Sequence, residues 1–251
     1  MLTHLYLSPH LDDAVLSCGG MIHRQTRAGE RVIVVTVCAG DPPPGPLSEF
    51  AQSLHQRWQT PGEAAAVRRA EDLNALAALG AEAVHLAAAD CIYRGDPATG
   101  RHWYASEAAL FGALHPAEAA LARTLAGEIA GRVRGAQPAR LYAPLGIGNH
   151  VDHRLTRRAA ELAGGVWAYF EDYPYAAREP GAAAATPGRA LAPGVIPLAE
   201  ADLAAKVRAI AAYTSQISSF WGSLAEMEAA VRGFAGRTGG GAPAERVWRS
   251  R

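Results

Sequence analysis

Two short segments rich in histidine and aspartate have the residue types and spacing of a metal-dependent catalytic site. The first is residues 8–13, SPHLDD, which follow an apolar run at residues 2–8. His10 and Asp13 are three residues apart at a predicted helix start, so both side chains can face one point and supply half of a divalent-metal site. Asp12 must point in another direction, as a carboxylate near the metal that serves as general base for an attacking water.

Acidic residues at a helix N-terminus have a simpler explanation, because a carboxylate there stabilises the helix dipole. That explanation accounts for Asp12 and Asp13. It does not account for His10, or for a position at the carboxyl end of a strand, where open α/β sheets bind their ligands. We therefore interpret the segment as part of a ligand site.

A second segment of the same character lies at residues 146–153, GIGNHVDH, after another predicted strand. It too is expected at the carboxyl edge of the sheet. One of His150 and His153 can complete a metal triad with the first segment, and the other can lie beside a reacting carbonyl with Asp152 holding its charge and orientation. Alone, this segment could be a surface patch. Together, the two segments supply three ligands, a base and a second histidine.

The elements that must position these segments alternate along the chain. Buried strands are predicted at residues 2–8 and 31–39, with a glycine-terminated helix between them. Because a crossover helix joins parallel strands, this order predicts a parallel sheet. Later elements are predicted as strands at 83–88, 140–143 and 166–171, and as helices at 63–79, 116–133, 152–162 and 202–217. The sequence thus predicts one α/β domain over residues 1–251, Rossmann-like, with a mostly parallel sheet and helices on both faces.

Four segments are predicted to lack regular structure, one of them the irregular, aromatic stretch at residues 90–115. Residues 41–61 are rich in proline and polar side chains, which is typical of a long loop. Residues 176–194 are low in complexity and are predicted to form a mobile surface loop. Residues 237–251 contain three consecutive glycines and are predicted to be a frayed tail.

The composition narrows the function classes. Basic and acidic side chains balance to a formal net charge of zero, so nothing indicates a nucleic-acid partner. No apolar run is long enough to span a bilayer and no signal-peptide pattern opens the chain, which predicts a cytoplasmic protein without a membrane span. The three cysteines are predicted to be buried and reduced. The oligomeric state stays open, a homo-oligomer included.

The two segments give the chain a resemblance to the LmbE/PIG-L-like N-acetylglucosamine deacetylases. The first motif of that family resembles P-H-P-D-D and stands here as PHLDD at residues 9–13; the second resembles H-P-D-H and stands here as HVDH at residues 150–153. Weaker similarities support the match over residues 3–218. These are the helix pattern R-x-x-E-x-x-x-A-x-x-x-L-G carried by Arg68, Glu71, Ala75, Leu79 and Gly80, then Asp90, Lys206 and the sequence YTSQ at residues 213–216.

The resemblance implies roles for individual side chains. It implies a metal site, most often zinc in the family although other divalent ions stay open, with three ligands: His10, Asp13 and His153. It implies three catalytic side chains: Asp12 as general base, His150 at the oxyanion or the leaving amine, and Asp152 tuning His150. It implies two side chains that hold sugar hydroxyls or a neighbouring group of the substrate: Arg68 and Asp90.

The chain departs from the family pattern at three positions. Leu11 and Val151 replace the two motif prolines, which stiffen the backbone and carry no chemistry. Some sugar deacetylases of the family have a carbonyl-polarising tyrosine two residues before the first histidine of the second motif, where Gly148 stands here. That contribution must therefore come from elsewhere, or the substrate is different.

The leading hypothesis is a zinc-dependent N-deacetylase, a hydrolase of a linear amide, acting on a small-molecule N-acetylglucosamine-type sugar or sugar conjugate. One alternative is a non-catalytic sugar-binding relative with the same fold. Another is an amidase for a small molecule of a different kind. A dinucleotide-binding enzyme is disfavoured, because Pro9-His10-Leu11 stands where G-x-G-x-x-G would follow the first strand.

Overall fold

The computed structural model describes residues 1–60, 62–179, 181 and 191–250. Seven strands form one sheet in the order β3-β2-β1-β4-β5-β7-β6. The strands are β1 Thr3–Ser8, β2 Arg31–Thr36, β3 Glu82–His85, β4 Ala139–Pro144, β5 Trp167–Phe170, β6 Leu191–Pro197 and β7 Ala244–Ser250. Strands β1 to β5 are parallel, while β7 runs antiparallel to both of its neighbours. The predicted Rossmann-like α/β class with a mostly parallel sheet is confirmed.

Helices precede and follow the strands along the described chain. They are α1 Asp13–Arg27, α2 Glu49–Arg57, α3 Ala64–Ala78, α4 Glu107–Leu110, α5 Glu118–Gly135, α6 Val151–Ala163, α7 Tyr175–Arg178, α8 Glu200–Ala211, α9 Thr214–Phe220 and α10 Leu224–Thr238, with a 3₁₀ turn at Cys91–Tyr93. No helix in the described ranges is long and apolar enough to cross a bilayer. All three cysteines are buried with free thiols.

Alternate residues of each strand face two separate cores, because successive side chains of a strand point to opposite faces. On β1, Tyr6 packs with apolar residues of α1, α3, α8 and α10. Leu5 and Leu7 point the other way and pack with α5 and α6. All three side chains are fully buried, and truncation of such a leucine to alanine typically costs about 2–5 kcal/mol. Helices on both faces therefore hold β1 and β4, whose carboxyl ends carry the two predicted motifs.

A third apolar cluster lies next to that edge of the sheet. It joins α2, the 3₁₀ turn and α4 to the start of α6, with Ala51, Tyr93, Leu110 and Val151 among its buried members. The predicted loop at residues 41–61 thus contains α2, whose first turn is capped by the Ser48 hydroxyl accepting from the Ala51 N–H. The sequence did not predict α2, because the helix is short and the residues around it are rich in proline and polar side chains.

The predicted frayed tail is wrong. Residues Ala244–Ser250 form β7, which pairs with β5 on one side and β6 on the other. The glycines at 239–241 form the turn between α10 and this strand, and they do not mark the end of ordered structure. Strand β7 is held because two pairs of its residues are buried: Ala244 with Glu245, and Val247 with Trp248.

The predicted mobile loop at residues 176–194 is only partly testable. Residues up to Arg178 continue α7, and those from Leu191 belong to β6, so both ends of the segment are regular structure. Residues 180 and 182–190 lie outside the described residues.

The single helix predicted at residues 202–217 is two helices in the structure, α8 and α9, which are separated at Ala212 and Tyr213.

A buried ion pair connects β7 to the middle of α1. Glu245 accepts hydrogen bonds from the N–H groups of Gly20 (3.0 Å) and Met21 (2.7 Å). Lys206 of α8 lies 2.7 Å from the same carboxylate and donates to the carbonyl oxygen of Ser17. A Cβ atom at Gly20 would lie 2.5 Å from Leu198 Cδ1 and 3.2 Å from Glu245 Oε1, so the glycine gives room chiefly to Leu198 and also to the carboxylate. Lys206 is thus a support of the fold at this position, away from the motif residues.

Candidate active site

The first motif is a tight turn that joins β1 to α1. The Ser8 hydroxyl donates to the His10 carbonyl oxygen at 2.6 Å and accepts from the Ala14 N–H at 3.0 Å. The His10 N–H in turn donates to Asp13 Oδ2 at 2.8 Å. These bonds bring the two predicted metal ligands together, with His10 Nδ1 3.0 Å from Asp13 Oδ2.

The second motif follows a loop that is fixed by Asp172, two residues past the end of β5. The Oδ2 atom of Asp172 accepts from the N–H groups of Gly146 (2.7 Å) and Ile147 (2.9 Å). Its Oδ1 atom lies 2.6 Å from His153 Nδ1. Because β4 and β5 are parallel neighbours, this carboxylate shapes the loop and orients the histidine at the same time.

Asp13 lies between the other two predicted metal ligands, His10 and His153. Asp13 Oδ2 lies 3.0 Å from His10 Nδ1 and 3.3 Å from His153 Nε2. His153 Nε2 is a buried atom without a hydrogen-bond partner. The remaining ring nitrogens are already occupied, since His10 Nε2 lies 3.0 Å from Asp152 Oδ2 and His153 Nδ1 contacts Asp172. Carboxylates on the far nitrogens of metal-binding histidines are a common feature of metal sites, so this donor set fits a divalent cation.

A second grouping of possible ligands overlaps the first. Nitrogen atoms of His10, His150 and His153 lie within 4.8 Å of one another. His150 Nδ1, however, accepts the Asp152 N–H at 3.2 Å. Two imidazoles with a carboxylate, or three imidazoles, are both donor sets that suit zinc.

The ligands strongly influence one another's charge. Burial disfavours a charged His153, but Asp13 and Asp172 outweigh that effect and raise the pKa of His153 to about 10. Burial likewise opposes ionisation of Asp13, yet His153 and His10 hold the pKa of Asp13 well below its usual value. Each carboxylate thus stabilises the positive charge of the histidine beside it, and the same negative charge would favour a bound cation.

Asp12 has the free carboxylate that a proton acceptor requires. Its side chain makes no hydrogen bond to any described residue, and its closest charged neighbour is Arg68 Nη2 at 3.8 Å. Burial and the adjacent charge of Asp13 raise the pKa of Asp12 to about 7. The two adjacent aspartates thus differ in environment: Asp13 lies within 3.3 Å of nitrogens of both histidines, whereas the ion contact of Asp12 is with Arg68.

Arg68 and Asp90, the predicted substrate-binding pair, are both at the site. Arg68 Nη1 lies 3.6 Å from Asp90 Oδ2, and its guanidinium carbon lies 5.0 Å from the centroid of the Trp58 ring. Its separations from Asp90 and Asp12 are too long for hydrogen bonds, and Arg68 Nε has no partner. The guanidinium is therefore fixed in place with donors available to a polar ligand.

His150 is a neutral hydrogen-bond donor in this arrangement. It is the N-cap of α6, where its Nδ1 atom accepts the Asp152 N–H, so a neutral ring carries its proton on Nε2. Burial, with the nearby rings of His10 and His153, lowers the pKa of His150 to about 3. A neutral imidazole whose Nε2–H is free can donate to an oxygen that gains negative charge.

Asp152 acts on His150 through its charge, while its carboxylate contacts other groups directly. The carboxylate opposes the lowering of the His150 pKa. Its Oδ2 atom lies 3.0 Å from His10 Nε2 and accepts the Cys91 N–H at 2.9 Å. Oδ1 lies 2.6 Å from Arg94 Nη1. The Asp152 carboxylate thus orients His10, one of the predicted metal ligands, while the hydrogen bond from Asp152 to His150 comes from its backbone N–H.

Two charged residues of the site are absent from the predicted set, Asp172 and Arg94. Asp172 had a usable signal, because it follows a strand at the same edge as the two motifs. Arg94 had none, since it lies in an irregular segment after the 3₁₀ turn. Its buried guanidinium joins Asp152 to Glu118, which also accepts from the Tyr104 hydroxyl at 2.6 Å.

A groove of about 860 Å³ begins beside the second motif. It is lined by the loop at residues 146–149 and runs between α5 and α6, where Arg123, Arg154 and Arg158 contribute to its surface. By contrast, the space directly over Arg68, Asp90 and Tyr93 is only about 10 Å³. The motif residues therefore lie in a narrow part of the surface with more room next to it.

Known proteins are similar to this chain over most of its length. The family model described as PIG-L, GlcNAc-PI de-N-acetylase, matches residues 5–163. The 2'-N-acetylparomamine deacetylase of Streptomyces fradiae is 30% identical over 226 residues, which make up 84% of this chain and 72% of that protein.

Solved structures extend the similarity to nearly the whole fold. The zinc-inhibited form of teicoplanin deacetylase Orf2 is 30% identical, with a TM-score of 0.86 over 98% of this chain and 97% of that chain. The A40926 pseudoaglycone deacetylase Dbv21 is 28% identical, with a TM-score of 0.79 over 98% of this chain and 96% of that chain.

Proposed function

Because this chain belongs to the PIG-L family of GlcNAc-PI de-N-acetylases, we propose that it is a metal-dependent hydrolase that removes an N-acetyl group from an N-acetylglucosamine-type sugar or sugar conjugate. One observation carries the proposal: Asp13 Oδ2 lies 3.0 Å from His10 Nδ1 and 3.3 Å from His153 Nε2, beside a free carboxylate, Asp12, and a neutral imidazole, His150. Amide hydrolysis needs those three functions, namely an electrophilic centre, a base and a donor for the oxyanion.

We assign zinc as the resident ion. Two imidazoles and a carboxylate, each oriented by a further side chain, are the donors of many catalytic zinc sites. The zinc-inhibited form of a similar deacetylase indicates that zinc interacts with a protein of this fold. When bound, such an ion supplies a Lewis acid that polarises the amide carbonyl and acidifies water.

The side chains divide the reaction between them. Asp12 takes a proton from the attacking water as its oxygen bonds to the acyl carbon. His150 Nε2–H donates to the acyl oxygen, which becomes negative as the carbon becomes tetrahedral. Asp12 then returns the proton to the nitrogen as the C–N bond breaks, so that the products are acetate and a free amine. Asp152 acts through His10, which it orients for metal binding.

Arg68 and Asp90 form the sugar-binding part of the proposal. Both are held beside the motif residues without closing hydrogen bonds to each other, so one supplies donors and the other acceptors to hydroxyl groups. The nearby groove gives the remainder of a larger conjugate a place to lie. The similar proteins act, by their names, on paromamine, teicoplanin and A40926 derivatives, which supports a sugar conjugate as substrate.

The test is acetate release together with metal content. The purified protein is analysed for bound metal by elemental analysis, loaded with Zn²⁺, and incubated with a panel of N-acetylglucosaminyl conjugates, while Asp12→Asn serves as the background control. We expect stoichiometric zinc and acetate release in the wild type alone. A zinc-loaded protein that binds these sugars without releasing acetate would instead be a sugar-binding relative, and release from unrelated amides only would identify an amidase of another kind.

A further inference from the structure

The position of Gly148 is tied to the aromatic ring of Tyr175. Gly148 adopts a φ of +81°, a conformation that favours glycine. A Cβ atom placed on it would lie 2.6 Å from Tyr175 Cγ and 2.8 Å from Tyr175 Cβ, distances that real Cβ atoms do not adopt. The ring of Tyr175, delivered by α7, therefore fills the space that a side chain at position 148 would occupy.

Neighbouring rings fix the orientation of Tyr175. Its centroid lies 5.6 Å from that of His153 at an interplanar angle of 78°. On the other side, the centroid of Phe111 lies 5.8 Å away at 73°, and Phe111 also meets His150 edge-on at 5.5 Å. Edge-to-face contacts at these separations are favourable. Tyr175 is thus held against one metal-binding histidine and one ring away from the oxyanion histidine.

The hydroxyl of Tyr175 has no hydrogen-bond partner among the described residues, although most of the side chain is covered by neighbours. Two other phenols near the motifs have partners: the Tyr93 hydroxyl lies 2.6 Å from His55 Nε2, and the Tyr104 hydroxyl donates to Glu118. After burial, the carboxylates of Asp13 and Asp12 are the main causes that raise the pKa of Tyr175. The phenol is therefore within electrostatic reach of the motif carboxylates and has a donor to offer.

We propose that the Tyr175 hydroxyl is a further catalytic donor, which hydrogen bonds to the acyl oxygen of the substrate alongside His150. The proposal rests on the deacetylase function. It follows from three features together: a ring fixed against His153, a hydroxyl without a partner, and a glycine at 148 that leaves the space to that ring. No proton is transferred, because the phenol only shares its hydrogen with an oxygen that becomes negative and then leaves in acetate.

The decisive variant is Tyr175→Phe, which keeps the ring against Gly148 and His153 and removes one oxygen atom. Loss of a donor to an oxyanion lowers kcat by about 10²-fold, with KM little changed because the interaction strengthens only in the transition state. Zinc content and thermal midpoint are expected to match the wild type. The matched control is Tyr173→Phe, whose ring packs in the opposite core against Trp221 and Phe234.

A second readout does not depend on turnover. Acetate, the expected product, is titrated calorimetrically into the zinc-loaded wild type and both variants. A hydrogen bond to a charged oxygen should make acetate binding about tenfold weaker in Tyr175→Phe than in the wild type and Tyr173→Phe.

The outcomes separate the two proposals. If the wild type deacetylates none of the conjugates but Tyr175→Phe still binds acetate more weakly than the wild type does, the deacetylase function is contradicted. The assignment of the Tyr175 hydroxyl as a hydrogen-bond donor is then kept. If the wild type is active and Tyr175→Phe keeps full kcat, or changes only in KM, the donor assignment is overturned. It is likewise overturned if the wild type and Tyr175→Phe bind acetate equally well, or if neither binds it.

Discussion

At the scale of single residues, His153 is the proposed metal ligand with the clearest free donor atom. His153 Nε2 is buried without a hydrogen bond, while its other nitrogen is held by Asp172. We expect His153→Ala to lower zinc occupancy sharply, because a three-ligand site that loses one ligand binds far more weakly. Elemental analysis after dialysis measures this, with His115→Ala as control because that ring lies at the surface against Trp103. Full occupancy in His153→Ala would exclude it as a ligand.

Asp12 and Asp13 are adjacent in the chain, but we expect their substitutions to have different effects. Asp13 contacts both histidines, whereas Asp12 contacts neither. Asp12→Asn should keep zinc and fold while turnover falls by about 10²-fold or more, the usual worth of a general base. Asp13→Asn should weaken zinc binding, and added zinc should restore part of its activity. Measurements of zinc content and acetate release in the two variants decide which aspartate is the base and which is the ligand. Loss of zinc in Asp12→Asn but not in Asp13→Asn would reverse the two roles.

At the scale of elements, the ion pair between α8 and β7 joins three parts of the fold. Lys206 and Glu245 are almost fully buried, and Glu245 also accepts from two N–H groups of α1. Removing one partner leaves a buried charge unpaired, so Lys206→Met and Glu245→Gln should each lower the free energy of unfolding by about 3–5 kcal/mol. The double variant should lose clearly less free energy of unfolding than the two single variants lose together.

Urea unfolding of the four proteins measures this coupling. The exposed pair Arg31 and Glu82, 2.7 Å apart, is the control and should show a coupling below about 1 kcal/mol. Equal coupling in the two pairs would mean that burial of Lys206 and Glu245 contributes nothing to the link between α8, β7 and α1.

Elements near the two motifs were predictable because local patterns determine them. An apolar run followed by a glycine-terminated helix is enough to place β1 and α1, and the position of His10 and Asp13 at that junction follows. Strand β7 was not predictable in this way, because its partners β5 and β6 are distant in sequence and three glycines precede it. Arg94 was not predictable either, since its partners Asp152 and Glu118 meet it only in the folded chain.

At the scale of the whole molecule, stability should depend on pH through a histidine outside the site. His4 in β1 is buried, with Nε2 2.8 Å from Glu30 and Nδ1 3.1 Å from the Tyr142 hydroxyl. Burial lowers the pKa of His4 from its usual 6.5, even though Glu30 acts in the opposite direction. The unfolded chain therefore binds this proton more readily than the folded chain, and stability is lost as the pH falls below about 6.5.

Urea unfolding between pH 7.5 and 5 tests this dependence. One such group changes the free energy of unfolding by at most about 1.4 kcal/mol per pH unit, and His4→Asn should reduce the slope by part of that amount. His115→Asn is the surface control and should leave the slope unchanged. An identical slope in wild type and His4→Asn would show that His4 does not contribute.

The sheet order also has a consequence for how the chain is made. Strand β7 lies between β5 and β6, so among the described residues β6 has no partner strand until residues 244–250 have left the ribosome. The same residues bring Glu245 to α1, the helix that begins at Asp13. Since synthesis proceeds from the N-terminus at about 5–20 residues per second, both motifs emerge well before β7. A nascent chain thus carries its proposed metal ligands for seconds before β7 can pair with β5 and β6.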